Sequence, residues 1–202
     1  MSNAKVRLPA QARRAAVLDT ACRIFSQGSY RGTTTAEIAR EAGVSEPILY
    51  RHFASKRELY LACLGEAWGQ LRARWEQLIE AEPDSGQWLP SLGAAFMHVH
   101  QAKVQLSNLW LHALTEASED PEIRRALRAH LREVHDFVAD VIRRAQEQGG
   151  VIAERDPTAE AWIFVSLGLL GSIGRRLGGL AREDVPRIIA ARREWMTGRK
   201  TR

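Results

Sequence analysis

The chain has 202 residues, 45% hydrophobic and 26% charged, with a formal net charge of +5. That length and apolar share support one or two packed domains and exclude a disordered chain. No uninterrupted apolar run reaches the roughly 18 residues of a membrane span, and the first residues hold no apolar leader core. Cys22 and Cys63 are too few for a disulfide framework and fit a reducing compartment, so the expected location is the cytoplasm.

The charge is unevenly placed. Residues 1–60 carry ten Lys/Arg against five Asp/Glu, while residues 61–202 balance at nineteen of each. A basic segment joined to a neutral one points to a polyanion-binding head, with a merely solvated basic surface as the alternative.

Helix signals run throughout, and neither hairpin turns nor sustained period-two alternation occur. A first helix places Val17, Leu18, Ala21, Cys22 and Phe25 on one face and stops near Gly28. Thr34 followed by Glu37 forms a capping box and opens a second helix that buries Ile38, Ala39 and Ala42. Gly43 suits a left-handed helix stop. Ser45 caps a third helix, with Pro47 in its first turn. Ser55 and Glu58 form another capping box ahead of a long fourth helix striped by Leu64, Trp68, Leu71, Trp75 and Leu78. That helix stops in the run Glu82-Pro83-Asp84-Ser85-Gly86. A fifth starts near Gln87 with Trp88, Leu92, Phe96 and Val99. A sixth carries Leu106, Leu109, Trp110 and Leu114, its start undefined. Asp120-Pro121 opens a long seventh helix, which ends at Gly149-Gly150. Asp156-Pro157 opens an eighth, ending at Gly178-Gly179, and a last helix covers roughly 184–197.

Residues 34–53 therefore read as two short helices about a tight turn. Helices of about two turns are marginal alone, so Ile38, Val44, Leu49 and Phe53 must pack on the first helix. This is a helix-turn-helix inside a three-helix head. Its residues Ala21, Phe25, Gly28, Thr34, Ile38-Ala39, Ala42-Gly43-Val44-Ser45, Leu49-Tyr50, His52-Phe53, Ser55-Lys56 and Leu59 resemble the DNA-binding domain of the tetracycline-repressor (TetR) family of bacterial transcription regulators. The resemblance covers about a quarter of the chain. The remainder is similar in helix number, length and the Asp-Pro start of the eighth helix. The expected fold is all-α with about nine helices: residues 10–57 a DNA-binding head, and residues 58–202 a ligand-binding and dimerisation bundle.

The third helix is expected to enter the major groove. Leu49 and Phe53 face inward, and Ser45, Glu46, Pro47, Ile48 and Tyr50 face out. Tyr50 and His52 reach phosphates as donors, Arg51 belongs to the same surface, and Lys56 adds charge at the start of the fourth helix. Thr34 and Thr35 face phosphate at the start of the second, where the helix N-terminus favours it. Each assignment has an alternative. Tyr50 as a packing aromatic, His52 as a capping or core residue and Thr34 as a cap alone are all open. Glu46 accepts from cytosine N4 or only favours a helix N-terminus.

In the larger segment Trp68, Trp75, Phe96, Trp110, Phe137 and Trp162 form stripes that line a ligand pocket or fill a solid core. The family resemblance implies the pocket, and His100 and His112 are the candidates for its polar groups. Gly168, Gly171 and Gly174 recur every three residues, each costing about 1 kcal/mol in a helix relative to Ala. They mark a close helix contact. The resemblance assigns it, with Ile188 and Trp195 of the last helix, to a dimer interface; an internal crossing is the alternative. Two heads about 34–36 Å apart would read a palindromic operator.

No phosphate loop, HExxH or Gly-x-Ser-x-Gly occurs, so no enzyme is expected. His98 and His100 diverge on a helix and make no metal pair, and no cofactor is implied. The expected partners are double-stranded DNA, a small-molecule effector and a second copy, with no membrane. The expected function is a repressor that an apolar or amphipathic effector releases from its operator. The alternatives are a TetR-fold activator, a regulator without ligand response, and a helical interaction protein using its basic head on RNA or membrane.

Overall fold

The computed structural model describes residues 9–98 and 106–200. The chain is 77% helical, with nine α-helices and no strand among the described residues. These are α1 (Ala10–Gln27), α2 (Thr35–Glu41), α3 (Glu46–His52), α4 (Lys56–Ala81), α5 (Trp88–His98), α6 (Leu106–Glu116), α7 (Pro121–Glu147), α8 (Pro157–Arg176) and α9 (Asp184–Thr197). A single 3-10 turn, Ser85–Gln87, precedes α5.

The helix ends follow local chemistry. The Thr34 hydroxyl accepts from the Glu37 amide at 3.1 Å. The Ser55 hydroxyl accepts from the Glu58 amide at 3.0 Å, and the Glu58 carboxylate accepts from the Ala54 amide at 2.7 Å. Asp120 accepts from the amides of Glu122 and Ile123, and Asp156 from those of Thr158 and Ala159. Each carboxylate or hydroxyl satisfies amides that a helix start leaves without partners. Gly43 takes the left-handed conformation (φ 68°), which turns the chain from α2 into α3 at no side-chain cost.

The chain forms two compact units. The first contains α1–α3, α4 to Ala67, and the α6 region to Arg124. Its core is Val17, Ala21, Phe25, Ile38, Leu49, Phe53 and Leu59, all buried. Phe25 meets Tyr60 edge-on at 5.0 Å, and Tyr30 covers Tyr60 at 4.9 Å. Helix α6 belongs here: the buried Tyr60 hydroxyl donates to the Leu109 carbonyl at 3.0 Å, and Asn108 donates to the Ser26 carbonyl at 3.1 Å. Cys22 and Cys63 are free and buried in this core. Burial and its cysteine neighbour push the Cys63 thiol up, so it stays protonated and unreactive.

The second unit holds the rest of α4, α5, most of α7, and α8 and α9. The aromatic stripe resolves here into packed core. Trp75 meets Trp68 edge-on at 5.7 Å, stacks on Phe137 at 5.8 Å and meets Phe164 at 5.9 Å. The Trp75 indole donates to the Leu92 carbonyl at 3.0 Å. Trp68, Trp75 and Phe137 pack on each other, and none of them is among the residues that line the cavity of this unit. Trp110 is buried in the first unit, apart from that stripe. Trp162 is exposed and stacks on His135 at 4.4 Å.

The glycine run of α8 also differs from expectation. A Cβ at Gly168 would lie 3.3 Å from the Phe96 ring, one at Gly171 2.9 Å from the Met97 sulfur, and one at Gly174 2.4 Å from the Leu180 carbonyl oxygen. The close approach is made to α5 and to the chain following α8. The glycines therefore serve an internal crossing rather than presenting a bare backbone to another chain.

His130 sits in the second core with its ring 5.9 Å from Trp68, and burial lowers its pKa to about 4. An unfolded histidine titrates near ~6.5, so below that the unfolded chain takes up a proton that the folded chain refuses until about pH 4. Stability is then lost as pH falls across this window, by up to about 1.4 kcal/mol per pH unit. Urea unfolding at a series of pH values should show this slope, and His130→Gln should flatten it.

Candidate nucleic-acid interface

Helix α3 has only seven residues, and two anchors fix its orientation. Leu49 is fully buried and Phe53, its C-cap, is 1% exposed. Arg14 of α1 lies over the Phe53 ring at 4.7 Å. With those positions inward, the helical period turns Ser45, Pro47, Tyr50 and Arg51 outward, and all four are exposed. Ile48 and His52 are half-buried at the margins of this surface.

A polar network ties α2 to α3. The Thr35 hydroxyl donates to the Glu46 carboxylate and lies 3.1 Å from the Tyr50 hydroxyl. Thr35 is 8% exposed, whereas Tyr50 is 46% exposed. Glu46 is thus held by its own domain, which favours its structural role over base reading. Tyr50 combines an anchored hydroxyl with a ring edge open to solvent. Thr34 is exposed beside this network as the α2 cap, leaving neighbouring amides at the helix start open to an anion.

Lys56 opens α4 over the Tyr30 ring, its ammonium 4.5 Å from the centroid and 3.5 Å from the Arg31 carbonyl oxygen. Partial burial lowers its pKa, with Glu116 acting in the opposite direction. Tyr30 and Arg31, which orient this lysine, were not singled out from the sequence. Nor was the fate of the basic excess. Arg31 pairs with Glu116 and Glu119, and Arg57 with Asp120 (3.1 Å) and Glu122 (2.7 Å). Four acids from α6, the turn after it and the start of α7 therefore absorb two head cations. Arg51 and Lys56 lie in no ion pair among the described residues.

The second unit contains a cavity of about 120 Å³ bounded by α5, α8 and α9. Phe96, Met97, Phe164, Leu167, Ile188 and Met196 supply apolar walls. Glu160, Arg192 and Arg193 supply its polar groups. Of the residues expected to line a pocket, Phe96 does so, and Ile188, expected at a dimer interface, lines it as well. His100 lies outside the described residues. Trp195, 49% exposed, donates its indole N–H to Glu160 at 3.0 Å.

Among the described residues no cluster of ligating side chains suits a metal ion, and no helix is long and apolar enough to cross a membrane. A capped two-helix unit with one buried and one polar face has the form of a helix-turn-helix. Comparison with known proteins agrees. Residues 17–63 match the model of bacterial regulatory proteins of the tetR family, and residues 86–169 match that of the BetI-type transcriptional repressor C-terminal domain. The chain belongs to the tetR family.

Among curated relatives it is 32% identical over 138 residues to the HTH-type transcriptional activator FasR of Mycolicibacterium smegmatis, covering 68% of this chain and 62% of that protein. It is 29% identical over 120 residues to the HTH-type transcriptional regulator BetI of Rhizobium meliloti, covering 59% of each. The chain thus spans somewhat under two thirds of the length of these relatives. The crystal structure of a TetR-family regulator from Rhodococcus sp. superposes with a TM-score of 0.82 at 22% identity, covering 93% of this chain and 99% of that one.

The Tyr60–Leu109 bond joins α4 to α6 inside the first unit. Tyr60→Phe keeps the ring packing and removes the donor, so a loss of about 0.5–1.5 kcal/mol is expected in chemical denaturation.

Proposed function

We propose that the protein is a sequence-specific DNA-binding transcriptional regulator that acts in the cytoplasm as a homodimer on a palindromic operator. The observation that carries this reading is the exposed face of α3, held outward by buried Leu49 and Phe53. Tyr50, Arg51 and His52 with Lys56 and the start of α2 contact phosphates and set the register. Ser45, Pro47 and Ile48, on the first turn of α3, face base edges in the major groove. Glu46 buttresses Tyr50 through Thr35.

The dimer surface we propose is the outer face of α8 and its continuation. Trp162, Ile173, Leu177 and Leu180 are all at least 39% exposed. On α8, Trp162, Ile173 and Leu177 share one face at helical spacing, turned away from Gly168 and Gly171. Exposed apolar rows of this kind mark association surfaces. The symmetry of two such chains would place the two heads on two half-sites.

Repression relieved by an apolar or amphipathic effector is the regulatory reading, supported by the cavity of the second unit. A bound ligand acts only through a difference in affinity between the operator-bound and free shapes. Helix α4 contributes residues to both units, and α6 and the start of α7 share a unit with the head, so three segments are available to carry the change. One relative is named an activator, so the sign of regulation is read with a promoter-reporter fusion carrying the selected operator.

Selection from random duplex DNA should recover a palindrome. Tyr50→Ala and Lys56→Ala should each weaken its binding by about tenfold, and Lys56→Ala should reduce the salt slope by about one. No enrichment at low salt would refute DNA reading by the head. The double substitution Ile173→Glu, Leu177→Glu should convert a dimer to a folded monomer in sedimentation analysis; an unchanged mass would place the interface elsewhere.

A further inference from the structure

The α5–α8–α9 cavity combines three properties that together specify a ligand. Its size comes first. At about 120 Å³ it is comparable to the dry apolar cavity of about 150 Å³ that takes up benzene. An aryl ring or a chain of about six to eight carbons fills such a space. The walls come second: apart from one polar end they are aliphatic, aromatic or thioether groups, which offer a ligand body no hydrogen bonds to replace those it loses on leaving water.

The polar end is the third. Glu160 is 8% exposed, and both its oxygens are engaged, one by the Trp195 indole and one by Arg192. A ligand cation would have to displace Arg192 to reach it. An anion faces the opposite situation. Arg193 lines the cavity and lies in no ion pair among the described residues. Arg155 is stacked over Trp195 at 3.5 Å and donates to its carbonyl oxygen, adding a further cation. Burial, then repulsion by Arg155, lowers the Arg192 pKa. Arg192 and Arg155 beside one engaged carboxylate, with Arg193 also lining the cavity, leave an excess of positive charge and unused N–H donors. Guanidinium groups pair with carboxylates in a two-point geometry.

We propose that this cavity is a binding site for a small apolar monocarboxylate, its body between α5, α8 and α9 and its carboxylate on Arg193 and Arg192. This deepens the effector reading above and rests on it only for the regulatory consequence of binding. Because Arg192 and Arg193 belong to α9 and the body contacts α5 and α8, the occupied site would join these three helices.

Calorimetric titration of the full chain with octanoate and benzoate, against 1-octanol and octylamine, tests the proposal. Octanoate should bind at least about tenfold more tightly than 1-octanol or octylamine. Arg193→Gln should remove that preference and leave 1-octanol binding unchanged. Ile188→Trp, which fills the space, should abolish binding of all four, with thermal melts confirming that both variants fold. Equal or tighter binding of the neutral or cationic probe overturns the assignment to an anion. Absence of heat with every probe up to about 10 mM, weaker than any useful affinity, overturns the site. Operator titrations run in parallel separate the two claims. Octanoate that binds without altering operator affinity refutes its effector role while the site stands. Operator release by other compounds, with octanoate not bound, refutes the site and leaves the effector reading standing.

Discussion

The seven-residue helices α2 and α3 are too short to persist alone, and the head depends on one constraint that rescues them. Ile38, Leu49 and Phe53 must reach the same core as Val17, Ala21 and Phe25 of α1. Once those side chains are inward, the 3.6-residue period leaves little freedom for the others. Tyr50 and Arg51 must point away from the core, and Glu46 comes within reach of Thr35. The recognition surface is thus the complement of the packing surface. A change that loosened Leu49 or Phe53 would disturb the outward face of α3 without touching a residue exposed on it.

Electrostatics then narrows the surface. The head begins with a broad excess of basic residues, but pairing with the acids around α6 and α7 withdraws Arg31 and Arg57 from it. These exposed pairs add little stability individually. Their greater effect is geometric: they hold the loop after α1 and the start of α4, from which Lys56 is presented over Tyr30. The same segments make the Tyr60 and Asn108 bonds, so the head is continuous with α6 rather than ending where α4 begins.

In the second unit, the aromatic residues and the glycines both serve internal packing. Large rings suit the enclosing of a ligand, yet Trp68, Trp75 and Phe137 pack on one another in a cluster. Glycines suit the close approach of a partner chain, yet Gly168 and Gly171 let α8 approach α5, with Phe96 and Met97 filling the space that side chains would take. Where α9 crosses the same helices the packing does not close, and the cavity lies there. Its walls come mainly from residues of ordinary apolar type, and its polar end depends on Glu160, Arg192 and Arg193.

The sequence by itself determined what depends on neighbours along the chain. Caps at Thr34, Ser55, Asp120 and Asp156, the Gly43 turn and the apolar stripes placed the helices and the inward positions of α1–α4, because these are satisfied within one or two turns. It also carried the family resemblance and the residues of α3 that form the outward face. Tertiary structure alone decided how the pieces meet. That α6 joins the head follows from Tyr60 and Asn108 finding carbonyls 49 and 82 residues away. That the aromatic stripe is solid, and that Glu160 pairs with Arg192, depends on helices brought together by packing. A periodic pattern states which face of a helix is apolar. It does not state which other face covers it, or whether the space between them is filled.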